Sequence, residues 1–100
     1  MLSKIQLFNA KNAGLKIEKG LELLVVNVGT FEDVDKDGHP VTVTALETQT
    51  GEVYTTISAT IGSSVDLLDD IITDDGAVKV KVIQNTSNSG REFFQLQIIS

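Results

Sequence analysis

The sequence predicts an all-β fold: a five-stranded barrel with one short helix inserted after the third strand. Three observations predict it. Apolar and polar residues alternate in several separate stretches, such as VTVTALET and AVKVKVIQ. Glycine-bearing turns (Asp37-Gly38, Gln49-Thr50-Gly51, Asp74-Asp75-Gly76) divide those stretches at short intervals. Only residues 63–73 switch from a period of two to helical spacing.

The first 20 residues form an N-terminal extension, expected to hold a short strand, KIQLF, and then a loop that packs on the barrel. LELLVVNVGTFED (21–33) is long and β-branched and reads as the first barrel strand, with Gly29 marking a bulge or bend. FEDVDKDGHP (31–40) opens like an EF-hand loop, with Asp33, Asp35, Asp37 and Gly38 in D-x-D-x-D-G spacing. A complete loop needs a bidentate glutamate at its twelfth position, and that position falls on Thr44. The stretch is therefore read as a hairpin turn, with Asp37-Gly38 supplying the positive φ angles. VTVTALET (41–48) and EVYTTISAT (52–60) follow as alternating strands around the Gly51 turn.

In SSVDLLDDIIT (63–73), Val65, Leu68 and Ile72 share one side and Asp66, Asp69 and Asp70 the other, with Ser63 as the expected N-cap. AVKVKVIQ (77–84) and REFFQLQII (91–99) complete the set, joined by the loop Asn85-Thr86-Ser87-Asn88-Ser89-Gly90. Three strands, a helix and two strands is the order of the OB-fold, a Greek-key barrel (β1-β2-β3-α-β4-β5). A long, bulged first strand suits it, because that strand curves to pair in both halves. A β-sandwich or a curled half-barrel has the same elements.

One hundred residues support a single domain spanning 1–100. The hydrophobic fraction of 41% and charged fraction of 22% are those of a folded chain. With no cysteine, disulfides and thiolate metal sites are excluded. The start, MLSKIQLFNAKNAG, has no long apolar run, so no signal peptide or membrane contact is expected and the cytoplasm is the expected compartment, a host's cytoplasm if the protein is viral. The net charge of −6 opposes nonspecific binding to a polyanion. It is unevenly spread, at +3 over residues 1–20, −11 over 21–76 and +2 over 77–100. A basic face can therefore exist on an acidic protein if the ends meet.

Alternation assigns Val78, Val80 and Val82 to the core and Lys79 and Lys81 to the outside. It likewise places Phe94, Leu96 and Ile98 inside, with Phe93, Gln95 and Gln97 outside. Leu24, Val26 and Val28 are expected in the core, with Asn27 and Phe31 opposite unless a bulge at Gly29 resets the phase. Tyr54 counts to the outer side against Val53, Thr55 and Ile57. Phe31, Tyr54 and Phe93 are thus three of only five aromatics, standing on polar faces near lysines. Stacking of bases on rings with cations along the backbone is what single-strand recognition uses. Each ring also has a packing alternative, under the N-terminal segment or over a barrel end. Arg91 closes a Ser/Asn/Gly loop at the place where OB-folds commonly embrace a ligand.

The ending VKVKVIQNTSNSGREFFQLQII resembles the C-terminal hairpin of OB-fold single-stranded-DNA-binding proteins. The nearest likeness is to the small acidic type of bacteriophages, which the helix SSVDLLDDII and the opening IQLFNAKNAGL share. The resemblance implies protection of single-stranded DNA in replication or recombination, without sequence preference or catalysis. It places Tyr54 and Phe93 against bases and Lys79, Lys81 and Arg91 on phosphates. The chain departs from bacterial members in ending at Gln97-Ile98-Ile99-Ser100 rather than in an acidic tail, and in having no tryptophan.

The expected ligand is single-stranded DNA, which stacking platforms do not distinguish from RNA. Replication proteins are the expected partners, and the chain is expected to be a monomer or small homo-oligomer. No catalytic group, metal or cofactor is expected. The single histidine, His39, sits in a turn, and Asp69-Asp70 and Asp74-Asp75 read as a solvated acidic face. The rival reading is an OB-like interaction or assembly module of a phage or mobile element that binds no nucleic acid.

Overall fold

The computed structural model describes residues 1–99. The elements are α1 (Lys4–Ala13), β1 (Leu15–Lys16), β2 (Glu22–Val34), β3 (Pro40–Thr48), β4 (Val53–Thr56), α2 (Ala59–Gly62), α3 (Val65–Asp75), β5 (Val78–Thr86) and β6 (Glu92–Ile98). The strands form one sheet in the order β1-β4-β3-β2-β5-β6, curled into a half-barrel with β1 and β6 at its edges. The expected order of three strands, a helix and two strands is present within it. β2 is the pivot, pairing antiparallel with β5 from Glu22 to Val25 and with β3 over the rest of its length.

The bulge in β2 falls between Val25 and Asn27, not at Gly29. It flips the inside-outside phase early in the strand. Leu23, Val25 and Val28 are therefore buried, while Leu24 is exposed and Val26 half-buried, which corrects the assignment of both to the core. Val25, Val28, Leu46 and Val80 are fully excluded from solvent and pack against Val65 and Leu68 of α3. Val78, Val80 and Val82 face inward as alternation predicts.

The opening segment is a helix rather than the expected strand KIQLF. Its signal is a capping box: the Ser3 hydroxyl accepts from Gln6 N–H at 3.2 Å, and the Gln6 side-chain oxygen accepts from Ser3 N–H at 2.8 Å. The Leu2 N–H donates to the Val28 carbonyl at 2.8 Å, which pins the helix start to β2. α1 can lie close to the sheet because Gly29 and Ala45 are a directly opposed pair of small residues. A Cβ at Gly29 would stand 3.1 Å from Leu2 Cβ and 3.0 Å from Leu7 Cδ2. Gly29 is thus a site of close approach.

β4 is shorter than the expected 52–60. The Ser58 side chain accepts from Ile61 N–H and donates to the Phe94 carbonyl at 3.0 Å, ending the strand and starting α2. α3 begins at Val65 because the hydroxyls of Ser63 and Ser64 turn back to the Thr60 carbonyl, so Ser63 does not cap it. Gly76, left-handed at φ 83°, ends it as expected. The 35–39 turn is also as read, but only Gly38 has positive φ. Asp35 Oδ1 accepts from the N–H groups of Asp37 and His39 and so holds the turn.

Candidate nucleic-acid interface

The curled sheet and α1 enclose an open groove of about 400 Å³. Phe31 of β2 and Phe94 of β6 line it, with Ile57 beyond β4 and Lys11 and Lys16 from the α1–β1 segment. The threonines Thr55 and Thr56 add hydroxyls to its wall. Phe31 is half-buried, its inner side packed on the small cluster of Leu2, Ala10 and Ala45. Phe94 packs at the other end on Ile17, Ile61 and Val82. Lys11 lies 3.7 Å from Asp33, a largely solvated pair that leaves the ammonium available to a stronger anion. Lys16 has no ion pair among the described residues. Such a recess offers apolar ring surface, hydroxyls and two cations at once, which suits a stacked base with its phosphates.

The other residues picked from the sequence lie apart from this groove. Lys79, Lys81 and Phe93 share the outer face of the β5–β6 hairpin, in the cross-strand pairs Lys81↔Gln97 and Asn85↔Phe93. Lys79 is 3.9 Å from Glu22 across β2, again an exposed pair. Arg91 is exposed at the hairpin end, its N–H donating to Ser87 Oγ and its carbonyl accepting from Ser87 N–H. Phe93 and Phe94 are neighbours on an edge strand and so face opposite sides of it.

Tyr54 does not stand on the outer face that simple counting gave it. Its half-buried ring packs on both inner clusters, near Leu21 and Leu96. Burial, and then the charge of Glu52, push its hydroxyl above the ordinary tyrosine range. That hydroxyl donates weakly to Glu52 Oε2 at 3.5 Å. Tyr54 is paired with the buried Leu46 of β3 and so faces inward, while its neighbour Val53 faces α1.

Residues 1–99, all of this layout, match the family model described as Phage Single-stranded DNA-binding protein. The chain belongs to that family. Among the relatives of this phage family, the Single-stranded DNA-binding protein of Bacillus phage phi29 is 32% identical over 104 residues, covering 95% of this chain and 84% of the relative. That of Bacillus phage PZA is 31% identical with the same coverage. The Bacillus phage B103 protein of the same name is 30% identical over 105 residues, covering 96% of this chain and 86% of its own. No solved structure matches the chain.

Sequence reasoning missed Lys11, Lys16 and Ile57, and it placed Phe94 wholly in the core. The signal for the lysines was Ser3-x-x-Gln6, since only a helix at residues 4–13 swings them over the sheet. The acidic turn forms a compact group, with ligand atoms of Asp35, Asp37 and His39 within 4.8 Å of one another. Asp33, the first residue of the EF-hand-like run, contacts Lys11 instead. Among the described residues no helix is long and apolar enough to cross a membrane.

Proposed function

We propose that this protein binds single-stranded DNA without sequence preference and protects it during phage DNA replication in the host cytoplasm, acting by binding and not by catalysis. The observation that carries the reading is the groove in which two phenylalanines from distant strands, Phe31 and Phe94, stand with Lys11 and Lys16, in a chain of this family. A base stacks against Phe31 while the lysines take the flanking phosphates. The strand then crosses the β6 edge from the Phe94 side to the Phe93 side, where Lys79, Lys81 and Arg91 follow the backbone. Tyr54 supports the groove wall from beneath and offers its hydroxyl end to a nucleotide near Glu52. Each of these contacts is sequence-tolerant, because every base has a π-face and every nucleotide a phosphate.

Titration of the full chain with labelled oligo-thymidine at rising salt, with duplex DNA alongside, tests the reading. The single strand should bind preferentially, with log K falling by about 0.7 per phosphate contact for each decade of salt. Phe31→Ala should weaken binding by about 1–3 kcal/mol, the usual worth of one stacked base, in a chain that stays folded but melts lower for loss of the ring's packing on Leu2, Ala10 and Ala45. Lys16→Gln should flatten the salt dependence by roughly one contact. Absence of binding at low salt would leave an OB-like interaction module in place of a DNA-binding protein.

A further inference from the structure

Asp33 is the one carboxylate among the described residues that line the groove, against the ammoniums of Lys11 and Lys16. It lies two positions after Phe31 on β2, in the pairs Phe31↔Val43 and Asp33↔Val41. Both side chains therefore leave the same side of the sheet, about 7 Å apart along the strand. A backbone bond holds the carboxylate there. Asp33 Oδ1 accepts from the Val34 N–H at 2.8 Å, and the same oxygen stands 3.7 Å from Lys11 Nζ. Oδ2 has no hydrogen bond or ion pair among the described residues. Toward phosphates such a group is unfavourable, since like charges repel. Toward bases it is not.

Every nucleobase carries at least one N–H donor on its pairing edge: at N6 of adenine, N4 of cytosine, N1 and N2 of guanine, and N3 of thymine. In a single strand these donors are free, and in a duplex the partner strand takes them up. We propose that Asp33 recognises the unpaired state of a base. With the base stacked on Phe31, its pairing edge donates to Asp33 Oδ2. The inference rests on the single-strand reading above and names the residue that separates single strand from duplex. The bond is charge-assisted, and it selects no sequence because each base can make it. Lys11, beside Oδ1, balances the carboxylate, and Lys16 leaves the groove cationic overall. A duplex offers Asp33 no free donor and brings phosphates against it, so one side chain attracts one form of DNA and repels the other.

Equilibrium titration of the full chain at one low salt concentration tests this with three probes. They are oligo-thymidine, the same oligomer methylated at every thymine N3, and duplex DNA of equal length. Methylation removes the N–H and keeps the ring face and the phosphates. The parent should bind the methylated oligomer about tenfold more weakly than the plain one, the usual scale for a hydrogen bond to a charged group. Asp33→Ala should bind the two alike, and its preference for single strand over duplex should fall about tenfold. Asp33→Asn keeps an acceptor for the Val34 N–H and should fall between the two, which separates loss of the contact from a disturbed strand end. Glu32→Ala, on the opposite side of β2, should leave every ratio unchanged. Equal affinity of the parent for plain and methylated oligomers overturns the proposal and leaves the function standing. A methylation penalty that survives in Asp33→Ala also overturns it, since shape alone would then exclude the methyl group. So does an Asp33→Ala chain that binds single strand and duplex more tightly by the same factor, because Asp33 would then be only a repelling charge. If the parent binds no single strand at low salt, the proposed function fails, and this inference with it.

Discussion

The two faces of the curved sheet each carry a helix, and the helices meet the sheet in different ways. Under α3, large branched side chains interlock: Val25, Val28, Leu46 and Val80 reach zero exposure against Val65 and Leu68. Under α1 the contact rests on small residues, Ala10 against Ala45 and Gly29 beside Leu2. Successive residues such as Val28 and Gly29 serve opposite faces, so one strand builds both. The α3 face is filled where these side chains meet the helix. The α1 face holds the helix near the sheet at a few small contacts, and past them Phe31 and the lysines border open space. Side-chain size along a single strand thus separates scaffold from site.

The sharpest way to break the comparison is to open the filled face. Leu46→Ala should cost about 2–5 kcal/mol in urea unfolding, because Leu46 is fully buried and its neighbours cannot collapse into the space. Under conditions where the variant stays folded, its affinity for single-stranded DNA should match that of the parent. A large affinity loss in the folded variant would mean that the two faces are not independent. Gly14→Ala probes the other face. A Cβ there would lie 2.6 Å from the Ala10 carbonyl and 2.5 Å from Thr55 Cγ2, so the helix end and β1 must shift. Overpacking of this kind costs about 1–3 kcal/mol, and because Lys16 and Thr55 line the groove, affinity should fall together with stability.

The filled face was the more legible one in the sequence. VKVKV gives the burial of Val78, Val80 and Val82 directly, and the spacing of Val65 and Leu68 gives the inner face of α3. What failed there was phase in β2: LELLVV is apolar at nearly every position, so no alternation records the extra residue between Val25 and Asn27. The α1 face was harder for a further reason. Ile5 and Leu7 alternate like a strand, and the capping residues that overrule them are two polar side chains three apart. Without α1 there is no groove, so Lys11 and Lys16 carried no visible role, while Lys79, Lys81 and Phe93 were correctly grouped on one outer face by simple alternation.

A smaller effect sharpens the account of the filled face. Thr44 is 1% exposed, and its hydroxyl has no hydrogen-bond partner among the described residues. An unpaired buried hydroxyl costs about 1–3 kcal/mol, so Thr44→Val should stabilise the fold, by about 1 kcal/mol after imperfect repacking. Urea unfolding reads the difference, and a destabilised variant would show that the hydroxyl has a partner in solution.

The least change is expected at Tyr54, where the two regions join. Its ring belongs to the filled interior and its hydroxyl reaches toward Glu52 at the surface. Burial and Glu52 raise its pKa above the ordinary value, which favours the protonated form in the folded state. The unfolded chain therefore releases this proton at lower pH than the folded one. The contribution to stability is present in full below the ordinary tyrosine value and is lost as pH rises from there through the raised folded value. Tyr54→Phe should remove that alkaline slope and leave stability at neutral pH almost unchanged. The chain contains one tyrosine and no tryptophan, so ultraviolet titration of the phenolate reports this residue alone. Repeating the titration with oligo-thymidine bound separates the two roles of the residue. A nucleotide phosphate brought near the hydroxyl should raise its pKa further, since a second negative charge opposes the phenolate. An unchanged titration would restrict Tyr54 to the scaffold and leave Phe31 as the ring that carries the groove.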